Sequence, residues 1–294
     1  MQNSPNSKLT IELIVNTSKS NLWKVITDRN YLEKWFCNDC SPNLEAGSSW
    51  EPLGINFWGG DLYVLFSSPD NMLALRWHLE NSQSMISLKL DEVGKESGKE
   101  TTRLTFSLEY PTKGSFGFPE NLSSYICMKL VWRYYLTKLK LVAEMTPIFH
   151  RVDILKPEGN IIEFIYQDKN ITSQELLNIF KDHTKFSSIS LNAATNPKAD
   201  GYSITYSSDT TSNMKPESFK ILSDEQYQFT VNSGLNLGPL FLNMTGDSIV
   251  FSQSGFNGKA ELQNIAELEW STLIYCAVIL ISSGQKIDGW FKEM

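Results

Sequence analysis

The stretch that most constrains the fold is residues 22–36, which read LWKVITDRNYLEKWF. Leu22 and Ile26 recur at the four-residue spacing that places apolar side chains on one face of a short helix. After a polar interruption, a second short apolar face ends in the adjacent pair Trp35 and Phe36. The pattern therefore predicts two short helices in succession, each with one buried face.

A predicted strand precedes these helices at residues 9–15, where apolar and polar side chains alternate. The side chains that would face a core are Leu9, Ile11, Leu13 and Val15. Thr17 and Ser18 follow the strand, and either hydroxyl can accept a hydrogen bond from a first-turn amide, so both are candidate N-caps. The opening unit is thus a strand, a helix and a second short helix.

Four further segments between residues 62 and 110 show the same two-residue period, and turn residues separate them. Their predicted inward side chains are Leu62, Val64 and Phe66; Leu73, Leu75, Trp77 and Leu79; Ile86, Leu88 and Leu90; and Leu104, Phe106, Leu108 and Tyr110. Successive short strands of this kind indicate an antiparallel meander with one apolar face. Residues 122–144 then show a helical period with a broad apolar face, which a curved sheet could bury.

This order of elements resembles the START-like (SRPBCC) helix-grip superfamily, and within it most closely the family of the activator of heat-shock-protein-90 ATPase. The motifs that carry the resemblance are LEAGSSW at residues 44–50, LALRWH at 73–78, the long helix at 122–144, and Trp23 in the first helix. It covers residues 8–145. The resemblance implies an α+β fold in which a curved antiparallel sheet surrounds a long C-terminal helix.

The second half of the chain repeats the pattern of the first. Residues 161–166 predict a strand, and Thr172 with Glu175 three positions later predicts the capping box of a helix. Aligned without gaps, Leu22, Val25, Ile26 and Asp28 fall on Leu176, Ile179, Phe180 and Asp182. A final helix at residues 260–282 carries Trp270 near its middle, as the first long helix carries a tryptophan.

We therefore predict two helix-grip domains in tandem, residues 8–145 and residues 150–285, the second a degenerate repeat of the first. Strands of the second domain are predicted at residues 188–193, 202–207, 218–222, 227–231, 240–244 and 248–252. A length of 294 residues fits two domains. The alternative is an unrelated α+β domain in the second half.

Composition and charge narrow the class of partner. The net charge of −7 argues against nucleic acid or an anionic membrane as the main partner. The first eight residues lack the apolar core of a secretory signal, and the longest apolar run, residues 273–281, is far shorter than the ~20 residues of a membrane-spanning helix. Four cysteines without a regular framework suit a reducing compartment, so we expect a cytoplasmic protein.

The space between sheet and helix in such a fold is the default place for a ligand. The candidate cavity residues are Trp35, Phe36, Trp77, Phe106, Leu108, Tyr110, Phe116, Phe118, Met128 and Trp132. The same aromatic side chains could equally form an ordinary core, since each buries about 150–250 Å²; the family resemblance favours a pocket. The strands of the second domain carry fewer aromatic residues, so we expect that domain to be filled, with a structural or protein-contact role.

Cys37 and Cys40 form a Cys-x-x-Cys pair, which could hold half a zinc site or carry dithiol redox chemistry. The other cysteines, Cys127 and Cys276, are isolated and the three histidines are scattered, so the remaining zinc ligands are missing. We therefore favour a structural role for the pair, with redox sensing and metal binding as alternatives.

No catalytic motif is recognisable in the sequence, and Tyr110 is the only titratable side chain among the predicted inward residues. We expect no catalytic residue, no metal and no cofactor. Three functions stay open. The leading one is binding of a small apolar ligand in the first domain; the others are contact with a heat-shock-protein-90 type chaperone, which the resemblance implies, and cyclase- or hydratase-like catalysis, which has the least support.

Overall fold

The computed structural model describes residues 6–52, 60–79, 82–96, 99–111, 124–144, 153–155, 161–166, 171–190, 193–206, 215–232, 237–257, 260–283 and 292–293. The chain divides into two compact units, the first formed by Met1–Phe149 with Gly289–Met294 and the second by His150–Asp288. The domain bounds inferred from sequence, residues 8–145 and residues 150–285, stay a prediction.

An antiparallel sheet and helices packed on it make up the described part of the first unit. In chain order the elements are β1 (Asn6–Val15), α1 (Lys19–Thr27), α2 (Arg29–Trp35), β2 (Ser49–Trp50), β3 (Leu62–Ser68), β4 (Met72–Leu79), β5 (Ser82–Glu96), β6 (Lys99–Pro111) and α3 (Ser124–Glu144). The strand order is β15-β1-β6-β5-β4-β3-β2, in which the late strand β15 (Lys292–Glu293) pairs with β1. The long helix α3 contacts β1, α1 and α2.

The second unit follows the same plan. Its elements are β7 (Asp153–Leu155), β8 (Ile161–Tyr166), α4 (Ser173–Lys181), α5 (His183–Ile189), β9 (Ala193–Lys198), β10 (Gly201–Tyr206), β11 (Lys215–Ile221), β12 (Gln226–Asn232), β13 (Leu240–Thr245), β14 (Ser248–Ser254) and α6 (Ala260–Ser283). The strand order is β7-β8-β14-β13-β12-β11-β10-β9. In each unit the strand before the helix pair lies beside the last strand before the long helix. This confirms the predicted α+β architecture of two helix-grip folds in tandem.

The junction between the paired short helices shows the repeat at the level of single residues. Asp28 ends α1 and caps α2, with its carboxylate accepting the Asn30 backbone amide at 2.8 Å. Asp182 ends α4 and caps α5 in the same way, accepting the Thr184 amide at 2.9 Å. Both aspartates have φ of −88°. The gapless alignment of the two halves therefore pairs residues with the same structural role.

The prediction of a strand at residues 188–193 is wrong. Ser188 and Ile189 lie in the last turn of α5, and the neighbouring strand β9 begins only at Ala193. The alternation of small and apolar residues there is short, whereas the carboxylate of Asp182 fixes a helix start just upstream. Helical capping therefore prevails over a weak two-residue period.

Phe66 was predicted to face the core of the first unit, and this is also wrong. The β3–β4 pairing shifts register between Val64 and Phe66, which marks a β-bulge. A bulge inserts one residue and so reverses the faces of the residues that follow. Val64 accordingly stays buried, whereas Phe66 is 51% exposed.

The helix α6 is apolar on nearly all sides. Within the described residues, the segment Leu262–Ser282 is long and apolar enough to cross a membrane by length and composition, although the uninterrupted apolar run in it is shorter. In its most apolar window 72% of the residues are buried. The helix contacts α4 and α5, which is how the central helix of a core packs.

A buried ion pair fixes the end of α3 to β1. The Lys140 ammonium donates to the Ile14 carbonyl at 2.6 Å and pairs with the Glu144 carboxylate. The same carboxylate accepts the Asn16 amide at 2.6 Å. The Lys140 side chain is fully buried and that of Glu144 is 7% exposed. Each charge is therefore stable in the core only while its partner is present.

Replacing Lys140 with methionine should destabilise the first unit by about 3–5 kcal/mol, because the Glu144 carboxylate would stay buried without its cation. Lys89→Met is the matched control, since Lys89 and its partner Asp91 are exposed and such pairs contribute at most about 1 kcal/mol. Urea unfolding followed by tryptophan fluorescence measures both changes. Equal, small losses in the two variants would contradict the proposed role of the buried pair.

Candidate functional site

The first unit encloses a cavity between its sheet and its helices. The cavity has a volume of about 20 Å³, which is room for about one water molecule. Its lining is almost entirely apolar and consists of Ile26, Leu32, Trp35, Phe36, Trp50, Leu73, Leu75, Ile86, Leu88 and Trp132. The described aromatic residues around this cavity therefore pack largely as a core.

The ten residues predicted for a ligand site lie in three different positions. Three of them line the cavity: Trp35, Phe36 and Trp132. Five are buried in the same core without lining it: Trp77, Phe106, Leu108, Tyr110 and Met128. The remaining two, Phe116 and Phe118, lie outside the described residues. That this set binds a ligand stays a prediction.

Trp50 lines the cavity, but sequence reasoning did not assign it to a site. It lies on β2, which has only two residues, so no alternating pattern marks it. Trp50 is 5% exposed, and its ring centroid lies 6.4 Å from that of Phe36. The aliphatic part of the lining was predicted to be inward, from the two-residue period of the strands and from the helical spacing at Ile26 and Leu32, but was not assigned to a site.

Phe36 joins the aromatic side chains of the cavity wall. Its ring centroid lies 5.2 Å from that of Trp35, 6.3 Å from Trp132 and 5.6 Å from Tyr135. Aromatic pairs at such distances contribute about 0.5–1.5 kcal/mol each beyond the area that they bury. Phe36 is the C-cap residue of α2, so these contacts hold the end of that helix against α3.

Two indole groups at the cavity have buried N–H donors without a hydrogen-bond partner in the described structure. These are the Nε1 atoms of Trp50 and Trp132. In contrast, Trp35 Nε1 donates to the Val25 carbonyl at 2.8 Å. A buried donor that lacks an acceptor costs about 1–3 kcal/mol. The cavity wall thus carries two polar groups whose hydrogen bonds are not made in this state.

The second unit satisfies the equivalent indole. Trp270, in the middle of α6, donates from Nε1 to the Gln253 side-chain oxygen at 2.9 Å. The Gln253 amide nitrogen in turn donates to the Gly238 carbonyl at 3.0 Å. Both side chains are 1% exposed. The central indole of the second core is therefore paired within the protein, unlike those of Trp50 and Trp132.

The expectation of few aromatic residues on the strands of the second unit is wrong. Its strands contribute five buried rings to the core: Tyr202, Phe219, Tyr227, Phe229 and Phe251. Phe229 lies 5.9 Å from Trp270 between ring centroids. The second unit therefore has a packed aromatic core of its own.

The titratable groups of the first core offer little acid–base chemistry. Burial raises the pKa of the Tyr110 phenol, and a hydrogen bond with Ser7 offsets this only in part. The phenol is therefore protonated at neutral pH, and Tyr110 does not line the cavity. Across the residues that the structure describes, no three His, Cys, Asp or Glu side chains come together in a way that could hold a metal ion.

Comparison with protein families identifies the first half of the chain. Residues 16–144 match the family described as Activator of Hsp90 ATPase homolog 1-like protein. This confirms the resemblance that the order of elements and the tryptophan-bearing motifs predict. No curated protein matches the chain.

Three solved structures illustrate the similarity. CalU16 from Micromonospora echinospora is 17% identical over 50% of this chain and 81% of its own, with a TM-score of 0.37. MLL2253 from Mesorhizobium loti is 19% identical over 48% of this chain and 100% of its own, with a TM-score of 0.39. DynU16, from the dynemicin biosynthetic locus, is 13% identical over 95% of this chain and 99% of its own, with a TM-score of 0.38. Since all three TM-scores are below 0.5, the fold assignment rests on the strand order and the family match.

Truncating Phe36 to alanine should destabilise the first unit by about 3–5 kcal/mol, because the aromatic contacts are lost and a void remains. Phe66→Ala is the matched control, since that ring is 51% exposed and its loss should cost no more than about 0.5 kcal/mol. Urea unfolding of both variants measures the difference. Similar midpoints for the two variants would show that Phe36 does not hold the cavity wall.

Proposed function

On the premise that residues 16–144 belong to the family of Activator of Hsp90 ATPase homolog 1-like proteins, we propose that the first unit binds a small apolar molecule in its cavity. We propose further that this molecule carries a hydrogen-bond acceptor, such as a carbonyl oxygen. The single observation that carries this proposal is the pair of unpartnered indole N–H groups of Trp50 and Trp132 at an otherwise apolar cavity.

The second unit supports the proposal by contrast. There the corresponding indole, that of Trp270, is paired with Gln253 inside the protein. Buried donors are normally satisfied, because each unmade hydrogen bond costs about 1–3 kcal/mol. An acceptor supplied by a ligand would recover part of this energy in the first unit, whereas the Trp270 indole of the second unit already has its acceptor. The ligand site is therefore assigned to the first unit alone.

Binding requires the cavity to enlarge, because about 20 Å³ is far below the roughly 300–1,000 Å³ of typical ligand pockets. The seven-residue helix α2 supplies Leu32, Trp35 and Phe36 to the wall. The facing strands are held by ladder hydrogen bonds on both sides. Movement of α2 is therefore the least costly way to open the cavity, and the bound ligand would take the place of inward-packed aromatic rings.

The proposal predicts that the protein prefers a ligand with an acceptor over its hydrocarbon analogue. Fluorenone and fluorene are flat molecules of nearly the same shape, and only fluorenone can accept a hydrogen bond. We expect fluorenone to bind about three- to tenfold more tightly, the range of one net hydrogen bond. Isothermal titration calorimetry measures both affinities, and fatty acids and sterol ketones extend the ligand series.

The variants Trp132→Phe and Trp50→Phe should remove this preference, since phenylalanine keeps the aromatic surface but lacks the N–H donor. Trp23→Phe is the control, because Trp23 is buried on α1 and does not line the cavity. If no compound of the series binds, the ligand-binding function is wrong. If fluorenone binds but Trp132→Phe and Trp50→Phe keep its advantage over fluorene, ligand binding stands and the role of the indoles is wrong.

The other two functions predicted from sequence stay predictions. A chaperone contact is the alternative that the family match suggests. Catalysis of the cyclase or hydratase kind needs an acid or base within reach of the substrate, and the described lining of the cavity is apolar.

A further inference from the structure

The motif Cys37-x-x-Cys40 lies at the end of α2, next to the cavity wall. The Cys37 amide donates to the Leu32 carbonyl at 3.2 Å, which continues the last helical turn. Both cysteines are free thiols and are only 4% and 3% exposed. The residues between them, Asn38 and Asp39, are exposed. The two thiols therefore lie directly beneath a surface turn.

The two thiols are close enough to interact, and each affects the ionisation of the other. This interaction lowers the pKa of Cys40 and raises the pKa of Cys37. Burial, Glu33 and Asp39 oppose the formation of a thiolate at Cys40, whereas the Arg29 guanidinium favours it. The pair is thus asymmetric, with Cys40 the better nucleophile.

The Arg29 side chain pairs with two carboxylates, one on α2 and one in the turn between the cysteines. Its Nε atom donates to Glu33 at 2.6 Å and its terminal nitrogen donates to Asp39 at 2.8 Å. Asp39 lies between the cysteines in the sequence, so this ion pair links the turn between them to the start of α2.

We propose that Cys37 and Cys40 are a modification site that forms a reversible disulfide when a peroxide oxidises it. The Cys40 thiolate attacks one oxygen of hydrogen peroxide, the O–O bond breaks, and the hydroxide that leaves takes up a proton to become water. The sulfur of Cys37 then attacks the sulfenic acid at Cys40, loses its proton, and a second water molecule leaves. Two thiols and one peroxide thus give one disulfide and two water molecules.

The disulfide would act on the cavity because Cys37 directly follows Phe36. A bond between Cys37 and Cys40 fixes the backbone at the end of α2, and Phe36 at that end contacts Trp35 and Trp132. Oxidation should therefore restrict the movement of the cavity wall. The disulfide itself does not depend on any ligand, so this inference stands or fails separately from the proposed function.

The other two cysteines provide an internal control. Cys127 on α3 is 1% exposed, and burial raises the pKa of its thiol to about 12. Cys276 on α6 is equally buried. Because the thiolate is the form that reacts with peroxide, Cys40 should be oxidised at least about tenfold faster than Cys127.

The experiment treats the full folded chain with hydrogen peroxide, blocks remaining thiols with iodoacetamide and identifies the peptides by mass spectrometry. We expect a peptide that contains Cys37 and Cys40 and has lost the mass of two hydrogen atoms, while Cys127 and Cys276 are alkylated. A thiol reductant should restore both cysteines. Oxidation of Cys127 at the same rate, or no disulfide before Cys40 is overoxidised, would overturn the proposal.

The variants Cys37→Ser and Cys40→Ser separate the two roles. Cys37→Ser should accumulate a sulfenic acid at Cys40 that dimedone traps, because the second thiol is missing. Cys40→Ser should lose the fast reaction altogether. Cys127→Ser is the control and should form the disulfide like the unaltered protein. Trapping of the sulfenic acid at Cys37 in the Cys40→Ser variant, at the unaltered rate, would contradict the assigned asymmetry.

Discussion

The first unit depends on burial of the broad apolar face of α3 against the concave side of its sheet. Trp132 lies at the centre of that contact, where its ring lies 4.3 Å from Phe106 and 6.0 Å from Trp77 between centroids. A long helix can bury so wide a face only if the sheet curves around it, and twist and the bulge in β3 supply that curvature. The helix pair α1 and α2 then closes the side that the sheet leaves uncovered.

The second unit meets the same constraint with a different core. Its central helix also carries a tryptophan, but a glutamine on the neighbouring strand accepts the indole hydrogen bond. The two halves thus share topology and capping aspartates while their cores differ in polarity. The Trp270 indole of the second core is paired, whereas the Nε1 donors of Trp50 and Trp132 in the first core are not. Under the proposed function, this difference is what would allow the first core, and not the second, to take up a ligand.

Features that depend on neighbours close in sequence could be predicted, whereas those that depend on distant partners could not. The capping box of Thr172 and Glu175 is fully formed, and the inward faces of β1 and β6 follow their two-residue period. The exposed position of Phe66 could not be foreseen, because a bulge depends on the pairing with β4. The same holds for Trp50, whose place in the cavity wall comes from contacts with Phe36 rather than from its own strand.

The pairing of β15 with β1 has a consequence for biosynthesis. Ile11 pairs with Glu293, so the edge of the first sheet is completed by residues that the ribosome adds after the whole second unit. Contacts of such large sequence separation form late and slow down folding. While the nascent chain is still growing, the backbone of β1 would present an open edge to other strands. The newly made first unit is therefore most exposed to mispairing during the time in which the second unit is translated.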